Sequence, residues 1–152
     1  MGKESAGLVV YRKTGEGLEF LLVHPGGPFW KNKDAGAWTI PKGELDEGEE
    51  PLSAAKREFQ EELGITVEGP FAELTPVKQK GGKLVKAWST EKDCDVRNFR
   101  SNAFELEWPP KSGRMSLFPE VDKAEYFKIN EAKLKVNAAQ VPLLEQAAQL
   151  CS

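Results

Sequence analysis

Glu58, Glu61 and Glu62 crowd together beside Arg57, just ahead of Gly64. On a helix, residues three and four apart share a face, so these carboxylates converge on one patch about a turn long. Like charges at that spacing repel by roughly 0.2–0.5 kcal/mol per pair, and a helix that concentrates them usually has a cation to hold them. Hard divalent ions such as Mg²⁺ take oxygen ligands and bind through a few carboxylates plus the phosphates of a substrate. The cluster predicts metal-assisted phosphate chemistry, against the plainer reading of a solvated helix face.

The spacing around the acids is more specific than the acids themselves. Gly43, then Glu49 after five residues, Arg57-Glu58 after seven more, apolar Phe59, Glu61-Glu62, and Gly64 followed by apolar Ile65 resembles the signature of the Nudix hydrolase family at every position. Phe59 stands where a smaller aliphatic residue is more usual. The resemblance implies that Glu58, Glu61 and Glu62 coordinate Mg²⁺ or Mn²⁺, often joined by the Gly43 carbonyl. It implies that Arg57 and Glu49 brace those carboxylates, although a surface ion pair is the simpler role for Arg57. It also implies an α/β/α sandwich whose motif is a loop, a helix and a loop.

The chemistry so implied is hydrolysis of a pyrophosphate linkage in a nucleoside diphosphate derivative, with water as nucleophile. A general base comes from Glu58 or Glu61, or from a later loop, where Glu120 is the candidate and Glu105, Glu107 and Glu125 are rivals. For any single one of these later acids a surface position is the plainer reading. Dinucleoside polyphosphates and nucleoside triphosphates stand ahead of nucleotide sugars as substrates. The alternatives are a sanitising hydrolase for damaged nucleoside triphosphates and a nucleotide-sensing module without turnover. The sensor would be expected to lose some of Arg57, Glu58, Glu61 or Glu62, and all four are present.

Around the motif, Lys42 in Trp38-Thr-Ile-Pro-Lys-Gly is a candidate phosphate contact. Phe29, Trp30, Trp88 and Tyr126 are candidate stacking platforms for a base. Trp88 and Tyr126 also fit a core or cleft wall, and Phe29 and Trp30 lie in a Pro/Gly-rich loop. Gln140 is a candidate for reading a base edge, or an ordinary polar residue at a helix start. His24, the one histidine, reads as a hydrogen-bonded strand-end residue.

The 152 residues, 39% hydrophobic and 30% charged, suit one folded domain over 1–152 with its own core. A net charge of −3 offers no basic field for long nucleic acid, which also argues against messenger 5′-end processing. No apolar run approaches a membrane span, and MGKESAG lacks the apolar stretch of a secretion signal. Cys94 and Cys151 read as free thiols of a reducing compartment, so the expected location is the cytoplasm.

Several elements must position the site. Ala6–Tyr11 and Leu18–His24 read as a hairpin, Trp38–Ile40 as a short strand, and Pro51 to Gly64 as the motif helix with Leu52, Ala55, Phe59 and Leu63 on its inner face. Phe71–Val77, Lys83–Ser89, Ala103–Trp108 and Ala124–Ile129 read as strands, with Pro109–Pro119 irregular. Glu131–Val136 reads as a helical turn and Ala139–Leu150 as a last helix with Val141, Leu144 and Ala148 inward. The expected fold class is α+β, a mixed β-sheet flanked by helices.

Overall fold

The structure is a computed structural model that describes residues 3–151. Met1, Gly2 and Ser152, which belong to the expected domain span and to the segment read for a secretion signal, lie outside the described residues. β1 (Glu4–Thr14) and β2 (Gly17–Pro25) form the hairpin expected from their aliphatic runs. There follow β3 (Lys42–Glu44), α1 (Pro51–Leu63), β4 (Ala72–Glu73), β5 (Val77–Lys78), β6 (Leu84–Glu91), β7 (Ala103–Glu107), β8 (Met115–Pro119), β9 (Val121–Lys128) and α2 (Ile129–Lys135). A 3₁₀ turn at Ala138–Gln140 leads into α3 (Val141–Leu150).

The main sheet runs β4-β6-β1-β2-β9, with β3 added to β1 and β5 to β6, while β7 and β8 make a separate two-stranded sheet. β1 and β6 are parallel and the other strand pairs of the main sheet are antiparallel, so the sheet is mixed. Side chains alternate across it. Ala6, Leu8, Val10, Leu21 and Val23 pack on Ala54, Ala55, Phe59 and Leu63 of α1. Val9, Phe20 and Leu22 pack on Ala132 of α2 and Leu143, Leu144 and Ala147 of α3. Both faces are covered, which makes the α/β/α sandwich.

The functional geometry begins where β1 and β2 part. Tyr11–Thr14 of β1 pair with β2, but Ser5–Gly7 pair with β3 instead. Residues 39–44 are thereby wedged into the split: Val23 N–H donates to Thr39 O at 2.9 Å, and Leu8 N–H to Pro41 O at 3.1 Å. Gly7 permits the close approach, because a Cβ there would lie 2.5 Å from Pro41 O and 2.6 Å from Lys42 Cβ.

Four sequence expectations are corrected. Trp38–Ile40 is not a strand but makes isolated bridges, Val23 to Thr39 and Trp38 to Val136, because the chain turns away at Pro41 to join β1. Phe71–Val77 is broken into β4 and β5, with Pro76, which has no N–H to give, just before β5. Met115–Pro119, expected to be irregular, is β8; its partner β7 imposes an alternation that the flanking prolines hide. On α3 the buried residues are Leu143, Leu144 and Ala147, with Val141 and Ala148 only partly buried, because the preceding 3₁₀ turn sets the helix's entry and rotation.

Candidate functional site

α1 is built to hold charge at a fixed place. Glu50 caps its start by accepting a hydrogen bond from Ser53 N–H at 2.8 Å, Pro51 fits the first turn, and Gly64 ends it in the left-handed conformation at φ 69°. Phe59 and Leu63 anchor the helix to the sheet. The acids fall on the neighbouring arc and face the wedged segment.

Gly43 and Glu58 meet there. A Cβ at residue 43 would lie 2.0 Å from Glu58 Cδ and 2.0 Å from its Oε2, so the Glu58 carboxyl occupies the space that any side chain would fill. Glycine is required at this position by close approach rather than by an unusual φ.

Arg57 organises the remaining acids. Its Nε and Nη2 donate to both oxygens of Glu49 at 2.8 and 2.9 Å, its Nη1 to Glu58 at 2.8 Å and Glu61 at 3.0 Å, and its Nη2 to the Glu44 carbonyl at 3.1 Å. The two-pronged bond to Arg57 and the Asp46 backbone N–H bring the Glu49 carboxyl down to about 2. One guanidinium thus ties the loop before the helix to two of the clustered glutamates.

Glu62 is buried, and Glu58 and Glu120 share its cavity of about 240 Å³ with Lys42, Val23, Pro25, Thr39 and Val121. Burial pushes the Glu62 carboxyl well up, Glu58 and Glu120 add to it, and the Lys42 charge and backbone N–H oppose it. Burial also raises Glu58, which Arg57 pulls back, and Glu120, which Glu61 repels further. Lys42 is lowered by burial first and by Lys83 second. Glu120 reaches the cavity through a backbone relay: its N–H donates to Asn102 O at 2.8 Å, and Asn102 N–H donates to Glu61 O at 2.8 Å on α1.

The donor set consists of hard oxygens whose charges are unfavourable together, which fits a hard divalent cation. Among the described residues no three His, Cys, Asp or Glu side chains converge closely enough to hold an ion as they stand. The reason is visible in the hydrogen bonds: Arg57 draws Glu58 and Glu61 to itself.

A second cavity of about 220 Å³ adjoins the first through Pro25, Thr39 and Lys42 and is walled by Trp30, Gln79, Asn137 and Gln140. The structure therefore brings Lys42, Trp30 and Gln140 to one cleft with Gly43, Glu58, Glu62 and Glu120. Phe29 is 58% exposed and packs edge-on against Trp108 outside these cavities. Tyr126 stands apart from them: its hydroxyl donates to Lys92 O at 2.8 Å, accepts from Cys94 N–H at 2.9 Å, and its ring lies under Arg12. That hydroxyl is engaged with backbone and the ring is covered, so Tyr126 holds a loop and is not at the cleft.

Gln140 is fully buried and its amide is committed to the protein rather than to a base edge. Glu107 accepts from the Lys111 and Gly113 N–H groups in the β7–β8 turn, and Glu105 and Glu125 are exposed on their strands. His24 is buried, with Nδ1 2.8 Å from Asp122 and Nε2 2.6 Å from Lys33 O, which ties the Trp30 loop to β9. Gln79 and Asn137 had no mark in the sequence as site residues, since one is a hairpin-turn residue and the other a turn cap.

Comparison with known proteins identifies the family and the fold. The NUDIX domain model matches residues 1–147. The asymmetrical bis(5′-nucleosyl)-tetraphosphatase of Caenorhabditis elegans is 45% identical over 65 residues, which is 43% of each chain. The Rattus norvegicus protein of the same name is 36% identical over 109 residues, 63% of this chain and 70% of its own. Among solved structures, a C. elegans Ap4A hydrolase binary complex superposes with a TM-score of 0.70 at 25% identity, covering 97% of both chains. The chain belongs to the Nudix family and is an enzyme of its pyrophosphohydrolase class. Among the described residues no helix is long and apolar enough to cross a membrane.

Proposed function

We propose that this chain, as one domain over 1–152, uses Mg²⁺ or Mn²⁺ to hydrolyse a pyrophosphate linkage in a nucleotide, with dinucleoside polyphosphates and nucleoside triphosphates as the favoured substrates. The observation that carries the reading is the set of mutually repelling carboxyls Glu58, Glu62 and Glu120 in one cavity with Lys42. The tetraphosphatase and Ap4A hydrolase relatives support the substrate class. The two free thiols support a cytoplasmic setting.

Glu58, Glu61 and Glu62, with the Gly43 carbonyl, are the groups that would hold the ion. When bound, a divalent cation neutralises phosphate charge and acidifies the attacking water. Arg57 and Glu49 keep the carboxylates on one side of the helix, and Glu58 and Glu61 would turn from Arg57 towards the ion as it binds. Lys42 contributes a cationic donor to the phosphate chain where the two cavities join.

Glu120 is the general base. Glu58 and Glu61 each accept a hydrogen bond from Arg57, which occupies an oxygen of each. The Glu120 carboxyl lines the cavity, has no Arg57 hydrogen bond, and is raised by burial and by Glu61, so it accepts a proton closer to neutral pH.

The test is a nucleotide panel with Mg²⁺ and Mn²⁺, products identified, repeated with Glu58→Gln and Glu120→Gln. Each variant should lower kcat by about 10³-fold, the size expected for losing a ligand or base. Hydrolysis in ¹⁸O-labelled water identifies the phosphorus attacked. Unchanged turnover in both variants would overturn the assignment.

A further inference from the structure

The second cavity carries a hydrogen-bonding bias that its wall residues set through a short relay. Ile40 N–H donates to Gln140 Oε1 at 2.9 Å. A backbone N–H has only a proton to give, so this bond fixes which end of the Gln140 amide is oxygen. Gln140 Nε2 must then point the other way, and it donates to Thr39 Oγ1 at 2.9 Å and to Gln79 Oε1 at 2.8 Å. Because Gln79 has to present its oxygen to Gln140, its own NH₂ group is left for the cavity.

Asn137 is oriented in the same manner. Its Oδ1 accepts from Ala139 N–H at 3.0 Å, as a cap on the 3₁₀ turn, so its NH₂ group is the end not used by the fold. The Thr39 hydroxyl donates to Ile40 O at 2.8 Å and accepts from Gln140, which leaves it one acceptor lone pair. The backbone N–H and C=O of Trp38 and Thr39 are bonded to Lys135, Asn137 and Val23. Apart from the Thr39 lone pair, what the lining side chains still offer is the NH₂ of Gln79, the NH₂ of Asn137, the indole N–H of Trp30 and the ammonium of Lys42. These are all donors.

A lining whose free side-chain groups are mostly donors discriminates between purines. The 6-oxopurine edge presents two adjacent acceptors, O6 and N7, whereas adenine presents N7 beside an N6 amino donor. Placing that amine against NH₂ groups leaves donors facing each other, a mismatch that hydrogen-bonding sites reject. We infer that the cavity walled by Trp30, Gln79 and Asn137 is a base pocket selective for 6-oxopurine nucleotides, guanosine and inosine alike, over adenosine nucleotides. This rests on the reading of the cleft as a nucleotide site and adds the base to it.

Two substitutions invert the outward group while keeping the inward one. Gln79→Glu retains an oxygen for Gln140 Nε2 and replaces the outward NH₂ by an acceptor. Asn137→Asp retains the cap on Ala139 N–H and does the same. The measurements are kcat/KM for GTP, ITP and ATP and for the corresponding dinucleoside tetraphosphates. Alongside them runs fluorescence titration of the protein with methylene-bridged GTP, ITP and ATP analogues.

The wild-type protein should favour guanine and hypoxanthine over adenine by about tenfold or more, a factor one misplaced hydrogen bond supplies. Both variants should narrow or reverse that ratio, with the change in KM and analogue affinity rather than in kcat. Equal use of adenosine and guanosine nucleotides by the wild type, or a ratio untouched by both substitutions, would overturn the inference. If no nucleotide is turned over, the proposed function falls while the analogue titrations still decide the base preference. Melting curves of the two variants show whether the fold is intact.

Discussion

Replacing Glu62 by glutamine should stabilise the metal-free protein and remove its stabilisation by Mg²⁺. Glu62 is 6% exposed, and its carboxyl is pushed well up by burial, Glu58 and Glu120 against the pull of Lys42. Effective desolvation costs for a buried ion are several kcal/mol, of which the Lys42 charge and backbone bond return a part. Glutamine has nearly the same shape, keeps an oxygen for the Lys42 N–H and carries no charge. The expected gain in chelator at pH ~8 is about 1–2 kcal/mol, or ~2–8 °C in Tm for a chain of this size. A ligand at a hundred times its Kd stabilises the folded state by about 2.7 kcal/mol, so in saturating Mg²⁺ the wild type should overtake the variant. Thermal melts of both proteins, in EDTA and across a Mg²⁺ titration, measure this crossing. A variant that melts below wild type in EDTA, or gains as much from Mg²⁺, would refute the reasoning.

Gly43→Ala should lower kcat by ~10²-fold with a stability change below about 1 kcal/mol. The new Cβ meets only the far end of the Glu58 side chain, yet misplacing a group proposed to hold the ion by an ångström costs that much. Steady-state kinetics beside a melting curve separate the two effects. In chelator, stability should rise as pH falls through the raised values of the buried carboxyls towards the ordinary glutamate value of 4.5. Glu58, Glu62 and Glu120 are raised in the folded chain, so over that window the folded state binds more protons than the unfolded one. Glu49 acts in the opposite sense: held at about 2, its contribution is complete above 4.5 and is lost as pH falls towards 2. Melts across pH should show a maximum at about the ordinary glutamate value, and Mg²⁺ should flatten the side above it.

The parts of the fold legible from the chain are those decided locally. The β1–β2 hairpin, the aliphatic run of β6 and the capped, amphipathic α1 all carry periods and end signals within their own residues. β8 was hidden because its partner, not its composition, makes it a strand. The segment Trp38–Ile40 misread as a strand because its place depends on how β1 and β2 diverge. Tyr126 read as a platform for substrate because its aromatic type is visible and its hydroxyl's partners, Lys92 and Cys94, are far away in sequence.

The chain by itself determined the acid cluster: Glu58, Glu61 and Glu62 lie within about one helical turn, and Arg57 precedes them on the same helix, so their company is set by a 3.6-residue period. The parting of β1 from β2, which lets in Gly43 and Lys42, was decided only in three dimensions. So were the arrival of Glu120 through Asn102 and the orientation of Gln79 by a hydrogen bond that starts at Ile40. Those arrangements join residues tens of positions apart. Such contacts form only when the sandwich buries its two faces, and the chain's local preferences carry no trace of them.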